Sequence, residues 1–362
     1  MTLQSHVQEV VDDLVDAGRE VGLQVAVHHR GGLVVDAFAG IADPATRRAV
    51  TSHTPFFSFS AAKGVTALIA HLLVRNGLIG YETPVAEVWP EFAAHGKETA
   101  TLRHVLTHTT GVPAMPGGLR AADLTDWRRV CKAIAEAEPR WTPGAQTGYH
   151  SYTFGFLVGE IARRLTERPM RQLLHDWVAE PLGIVGELYF AVPSTELPRL
   201  ARLEDVEPLS AEAQMNGGIL AAWERGPSAS MGNDPTFLQA DIPSVGTFTA
   251  RGIAAVYAAM LDGRLIAPDQ LAELSSVAFE GTDQVFGNPA RLALGYPLGR
   301  IGAAPDEPPT AFGWPGGGGS YAYADPSSGT SFAVTKNRLA PDFATAGRLS
   351  DIVSAVVNSH GS

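Results

Sequence analysis

Apolar residues recur at helical spacing over residues 6–17, where Val7, Val10, Val11, Leu14 and Val15 form one stripe. Two alternating runs follow, LQVAVHH (23–29) and LVVDAFA (33–39), around Arg30-Gly31-Gly32; this pattern predicts a β-hairpin. The far end mirrors it. SYAYAD (320–325) and TSFAVTKN (330–337) flank Pro326-Ser327-Ser328-Gly329, and a closing helix is expected over about 341–358 on Phe343, Leu349, Ile352, Val353 and Val356. Two hairpins and two terminal helices predict one antiparallel sheet covered by helices, which the chain leaves near residue 55 and rejoins near 290. Between them the periodicity turns helical, over 60–76, 84–94, 101–108, 123–138, 151–168 and 170–180, with Gly77, Pro90, Gly111, Pro143 and Pro181 among the breakers. Residues 191–244 are less regular, and helix signal returns at 249–262. The organisation predicted is α+β: residues 1–58 and 240–362 build the sheet domain, and 59–239 form an inserted, mainly helical one whose last part, 191–239, is irregular.

The 362 residues are 45% hydrophobic and 18% charged, enough for a large core. A formal charge of −11 with no basic run argues against nucleic acid or an anionic membrane surface as partner. The single cysteine, Cys131, excludes an internal disulfide and a cysteine-based zinc site; it lies among Val130 and Ile134, where burial is the default. The start MTLQSHVQEVVDDLVDAG carries four acidic residues and does not read as a signal peptide, and no apolar run approaches the roughly 18–20 residues of a membrane span. A cytoplasmic location is the expectation.

The chemistry concentrates at FFSFSAAKG (56–64). Residues i and i+3 share a helix face, so Ser60 and Lys63 stack one turn apart. A helix start presents free N–H groups and a positive dipole end, favourable to a developing oxyanion. A lysine among Phe57, Phe59, Ala61, Ala62 and Val65 is poorly solvated, which lowers its pKa and makes a neutral amine accessible near pH 7. Such an amine takes the serine proton, as histidine does in other activated-serine sites. The competing reading makes Ser60 an N-cap and Lys63 a solvated helix residue. This is the one Ser-x-x-Lys in the chain, and no Gly-x-Ser-x-Gly, His-Glu-x-x-His or Gly-x-x-x-x-Gly-Lys-Ser/Thr accompanies it.

The blocks FFSFSAAKGVTALIAHLLVRNGLIGYETPVAEVWP (56–90), TLRHVLTHTTGVP (101–113), WTPGAQTGYHSYTFGFLVGE (141–160) and FGWPGGGGSYAYADPSSG (312–329) together resemble the serine β-lactamase-like superfamily, which holds class C β-lactamases, DD-peptidases and family VIII carboxylesterases. The resemblance covers most of the chain. It implies an antiparallel-sheet domain from both chain ends, an inserted helical domain and a site between them. It implies Ser60 as nucleophile, Lys63 as its base partner, and Tyr149, in the place of the family's Tyr-x-Asn tyrosine, as relay of the proton to the leaving alcohol. The bland alternative for Tyr149 is a core tyrosine. The oxyanion would lie between the N–H groups of Ser60 and Gly317, and no metal or cofactor is implied.

Two departures bear on substrate. Ser151 stands where the family usually has Asn, and Trp314-Pro315-Gly316 stands where it has Lys/His-x-Gly, so Ser151, Trp314 and Gly316 would contact substrate without a cation. A substrate carboxylate then loses a charge-assisted hydrogen bond worth about 1.5–3 kcal/mol, while a neutral ester loses nothing. The Trp form resembles some family VIII esterases. Gly316–Gly319 reads as an edge strand approached closely by substrate, since no helix follows it to suggest a phosphate cradle. His104 and His108, four apart on one predicted helix, have metal-ligand spacing but no third ligand in view; His150 reads as structural or at a rim. One of His28 and His29 must face solvent or a partner. Met215, Trp223, Met231 and Phe237 are equally core or the lip of an acyl pocket.

The expectation is therefore a serine carboxylesterase-type hydrolase of small-molecule esters, working through an acyl-enzyme on Ser60. An acyltransferase with the same machinery is the alternative, a β-lactamase or DD-peptidase is disfavoured by the missing cation, and a non-enzymatic binding protein by the joint retention of Ser60, Lys63 and Tyr149.

Overall fold

The computed structural model describes residues 2–206, 219–224, 226–304 and 306–359. The predicted hairpins meet in one six-stranded antiparallel sheet, in the order Phe312–Pro315, Tyr321–Asp325, Thr330–Lys336, Gly22–His29, Gly32–Asp43, Arg48–Ala49. The central ladder joins the two ends of the chain, with Val25 opposite Val334 and Val27 opposite Phe332. Successive strand residues face opposite sides. Tyr321, Tyr323, Phe332, Val334, Leu23, Val25 and Val27 pack against the terminal helices Leu3–Asp16 and Ala344–Ser359. Ala322, Ala324, Ala333 and Ala26 face the other way, into the larger core. Small side chains on that face let the helix Ala250–Leu261 lie close to the sheet, and Ser331 Oγ donates to the Ala254 carbonyl at 2.9 Å.

Several expectations shift. The chain rejoins the sheet at Phe312, not near 290. Residues Phe279–Thr282 and Pro289–Leu292 form a separate hairpin whose tip reaches the site described below. The edge strand ends at Pro315, and Gly316–Gly319 is the turn after it, not the strand itself. Gly318 and Gly319 have φ of +85° and +104°, a region an L-residue enters only under strain, so the glycines bend the chain back to Tyr321. The last helix buries Leu349, Val353 and Val357, one residue off the predicted Val356. The segment expected as one helix over 84–94 is a short helix, Val85–Val88, and a kinked 3₁₀ stretch from Pro90, because proline removes the N–H that would continue it. Helices Ala62–Arg75, Leu102–Leu106, Trp127–Glu136 and Thr153–Thr166 fall inside the predicted spans. Cys131 is buried, as expected. Among the described residues no helix is long and apolar enough to cross a membrane.

A small three-stranded sheet, Phe56–Phe57, Thr247–Phe248 and Leu188–Tyr189, is absent from the sequence reading; its strands are two residues long, too short for a period to show. It delivers the chain into the helix Ala62–Arg75, of which Ala62 to Leu73 are all buried.

Candidate active site

Ser58 is tied to the small sheet by its N–H to the Gly246 carbonyl at 2.8 Å. Phe59 then takes a left-handed φ of +46°, a conformation costing a non-glycine residue on the order of 1–3 kcal/mol. This sharp turn, held by packing of Phe57 against Phe59 and Phe237, places Ser60 in a single 3₁₀ turn just ahead of the helix. Lys63, one turn on, points its Nζ at Ser60 Oγ (2.9 Å) and at the Ser244 carbonyl (3.2 Å). Its side chain is 1% exposed and among the described residues no carboxylate salt-bridges it, so burial holds its pKa well below that of an ordinary lysine.

Tyr149, 89 residues further on, brings its hydroxyl to 2.5 Å from the same Ser60 Oγ. Burial raises the phenol's pKa, the Ser60 hydrogen bond opposes that, and the negative charges of Asp283 and Glu224 add to it. Burial thus favours the amine at Lys63 and the phenol at Tyr149, and Lys63 Nζ also lies 4.8 Å from the centre of the Tyr149 ring. The three groups are close enough to pass a proton among themselves.

These residues form the floor of a cavity of about 520 Å³, which Ser151, Trp314 and Gly317 also line. Gly316 is fixed by contact: a Cβ there would stand 2.0 Å from the Ser58 carbonyl oxygen, so the chain leaving the edge strand runs directly against the turn that carries Ser60. Trp314 is buried and its indole N–H is already donated to the Gly295 carbonyl at 2.5 Å. It therefore offers the cavity a ring and no donor.

His104, His108 and His150 each commit a ring nitrogen to a local partner. His104 Nδ1 accepts from the Thr101 N–H in a capping box, and His108 Nδ1 accepts from the His150 N–H at 2.9 Å. His150 is not at a rim: it is fully buried, bonded to Thr110 Oγ1 and the Gly148 carbonyl. His28 and His29 are both half-buried. Of the residues offered as a pocket lip, Met215 lies outside the described residues, Trp223 and Met231 pack around Tyr152, and Phe237 packs on Phe57. From that stretch the cavity is lined instead by Glu224, Gly226 and Pro227.

Sequence reasoning missed Asp283, Phe286 and Ser244. Asp283 Oδ2 accepts the Tyr149 N–H at 2.9 Å, and Phe286 lies against the Tyr149 ring, centroids 5.2 Å apart. The sole hint was an Asp-x-x-x-Gly turn signature between two short alternating runs.

Residues 7–355 match the family model described as Beta-lactamase. The chain is 34% identical over 343 residues to Esterase/beta-lactamase LipL of Mycobacterium tuberculosis, an alignment covering 88% of this chain and 77% of that protein. It superposes on the crystal structure of a family VIII carboxylesterase with a TM-score of 0.89 at 30% identity, covering 98% and 97% of the two chains. A penicillin-binding protein homolog from Caulobacter crescentus superposes with a TM-score of 0.85 at 29% identity over the same shares. With its fold, its serine-lysine-tyrosine cluster and a family match spanning nearly its whole length, the chain belongs to the Beta-lactamase family.

Proposed function

We propose that this protein is a serine carboxylesterase-type hydrolase, acting on neutral small-molecule esters through a covalent acyl-enzyme on Ser60. The observation that carries the reading is the convergence on Ser60 Oγ of a desolvated lysine amine and a tyrosine hydroxyl at the floor of an accessible cavity. Relatives named as esterases, LipL among them and a family VIII carboxylesterase among the solved structures, support ester hydrolysis over transfer to another acceptor.

In this reading neutral Lys63 takes the Ser60 proton as Oγ attacks the ester carbon. The carbonyl π bond opens, and the resulting oxyanion is held by the N–H groups of Ser60 and Gly317, donors of a kind that contribute about 3–4 kcal/mol each. The C–O bond to the alcohol breaks, Tyr149 gives its proton to the departing oxygen, and the tyrosine regains one from Lys63. Water then enters, loses a proton to the same pair, attacks the acyl carbon and returns Ser60 as the alcohol. Ser151 and Trp314 would shape the acyl side of the cavity. With Trp314 in place of a cation, an ester without a carboxylate is the better fit.

Ser60→Ala removes the nucleophile and leaves the packing intact, so hydrolysis of p-nitrophenyl butyrate should fall to background with an unchanged circular-dichroism spectrum. Retained turnover in that variant refutes the acyl-enzyme.

A further inference from the structure

The backbone around Tyr149 is held from two sides. The Gly148 N–H donates to the His108 carbonyl (3.2 Å) and the His150 N–H to the His108 ring at Nδ1 (2.9 Å), while the Tyr149 N–H itself donates to Asp283 Oδ2 (2.9 Å). One residue from the turn after helix Leu102–Leu106 thus grips both neighbours of Tyr149. The Asp283 carboxylate also accepts the N–H groups of Val285 (2.7 Å) and Phe286 (2.8 Å), which fixes the turn that brings Phe286 to the tyrosine ring. The His108 ring lies near-parallel to the Tyr149 ring, centroids 5.9 Å apart, and stacks on Phe154 at 4.7 Å.

Two features argue that His108 is kept for more than bulk. Its φ is +57°, a left-handed conformation that is costly for apolar and β-branched side chains and that glycine, asparagine, aspartate and histidine enter more readily. Because Nδ1 accepts from a backbone N–H, the ring proton sits on Nε2, and that atom is buried with no hydrogen-bond partner among the described residues. An apolar residue would spare that orphaned atom but would strip the buried His150 N–H of its acceptor, so what the ring supplies is Nδ1. Burial holds the ring's pKa well below the ordinary histidine value, which keeps Nδ1 available as an acceptor.

We propose that His108 and Asp283 form a main-chain clamp that sets the position of the Tyr149 hydroxyl on Ser60, with His108 a positioning residue that touches no reacting atom. The inference rests on Tyr149 as proton donor to the leaving alcohol. A misplaced phenol then harms esters whose alcohol must be protonated to leave, and harms far less an ester whose p-nitrophenolate departs as an anion.

The test compares kcat/KM for ethyl butyrate and p-nitrophenyl butyrate in the 362-residue protein. Partial unfolding lowers both alike, so their ratio reports positioning alone. His108→Leu keeps the bulk and removes the acceptor; His108→Asn tolerates the left-handed backbone and offers Oδ1 to the His150 N–H. The ethyl to p-nitrophenyl ratio is expected to fall on the order of 10- to 100-fold in His108→Leu, the scale of a misplacement approaching 1 Å, and to recover most of the way in His108→Asn. An unchanged ratio in His108→Leu, or an equal fall in both variants, overturns the clamp. If His108→Leu yields no folded protein, Asp283→Ala decides in the same assay: a lowered ratio supports the clamp and a wild-type ratio overturns it. These outcomes are separate from the Ser60→Ala result, which alone bears on the acyl-enzyme.

Discussion

Gly316→Ala is the sharpest test of how the glycine turn after the edge strand and the nucleophile turn are fitted together. A Cβ at residue 316 would meet the Ser58 carbonyl oxygen at 2.0 Å and the Ala61 nitrogen at 3.3 Å. Ordinary contact begins near 3.4 Å, so the two backbones must part by about 1.4 Å. Neither can move freely. Ser58 is pinned to Gly246, and Gly316 donates its N–H to the Ser320 carbonyl at 2.7 Å. Overpacking of this kind costs about 1–3 kcal/mol of stability. The greater loss is kinetic, because the displaced turn carries Ser60 and the displaced glycine turn carries Gly317; a misplacement above 1 Å costs about 10²-fold or more in rate. The assay is kcat/KM with p-nitrophenyl butyrate alongside urea unfolding. An alanine variant with wild-type rate and wild-type midpoint refutes the close approach of strand and turn.

Three further outcomes follow from the buried ionisable groups. Since Lys63 must be the free amine to accept a proton and burial lowers its pKa, kcat/KM should rise with pH along an acid limb lying well below the 10.5 of ordinary lysine; a limb near 10.5 removes the desolvation argument. His71 and His150 are buried with pKa values of about 4 against an ordinary 6.5, so below 6.5 the unfolded chain binds protons that the folded chain refuses. Stability should therefore fall as pH drops from 6.5 to 4, by up to about 3 kcal/mol per histidine, and urea midpoints that stay flat across that window contradict it. Lys336 and Glu20 pair at 2.6 Å, each side chain 2% exposed, with Thr345 Oγ1 on the same carboxylate oxygen. Lys336→Met should cost about 3–5 kcal/mol and the double variant Glu20→Leu/Lys336→Met should regain most of it in urea unfolding; a double variant no better than the single shows that charge burial is not the penalty.

What could be read from the chain alone was whatever depends on neighbours in sequence. Period-2 runs ending in glycine turns identified the two hairpins, and period-3.6 stripes the helices, because backbone geometry repeats over a few residues. Ser60 and Lys63 were legible for the same reason: three residues along one helix turn dictate that they face each other. The likeness of four blocks to a known family extended this to Tyr149. Tertiary structure decided everything carried by contacts between distant segments. It sets the phenol of residue 149 on the hydroxyl of residue 60, turns the Trp314 donor away to Gly295, and brings the 279–292 hairpin, with Asp283 at its tip, to a tyrosine more than a hundred residues earlier. No period or spacing encodes such meetings. They follow from how sheet and helices exclude water together, and single buried hydrogen bonds then select one arrangement of the side chains.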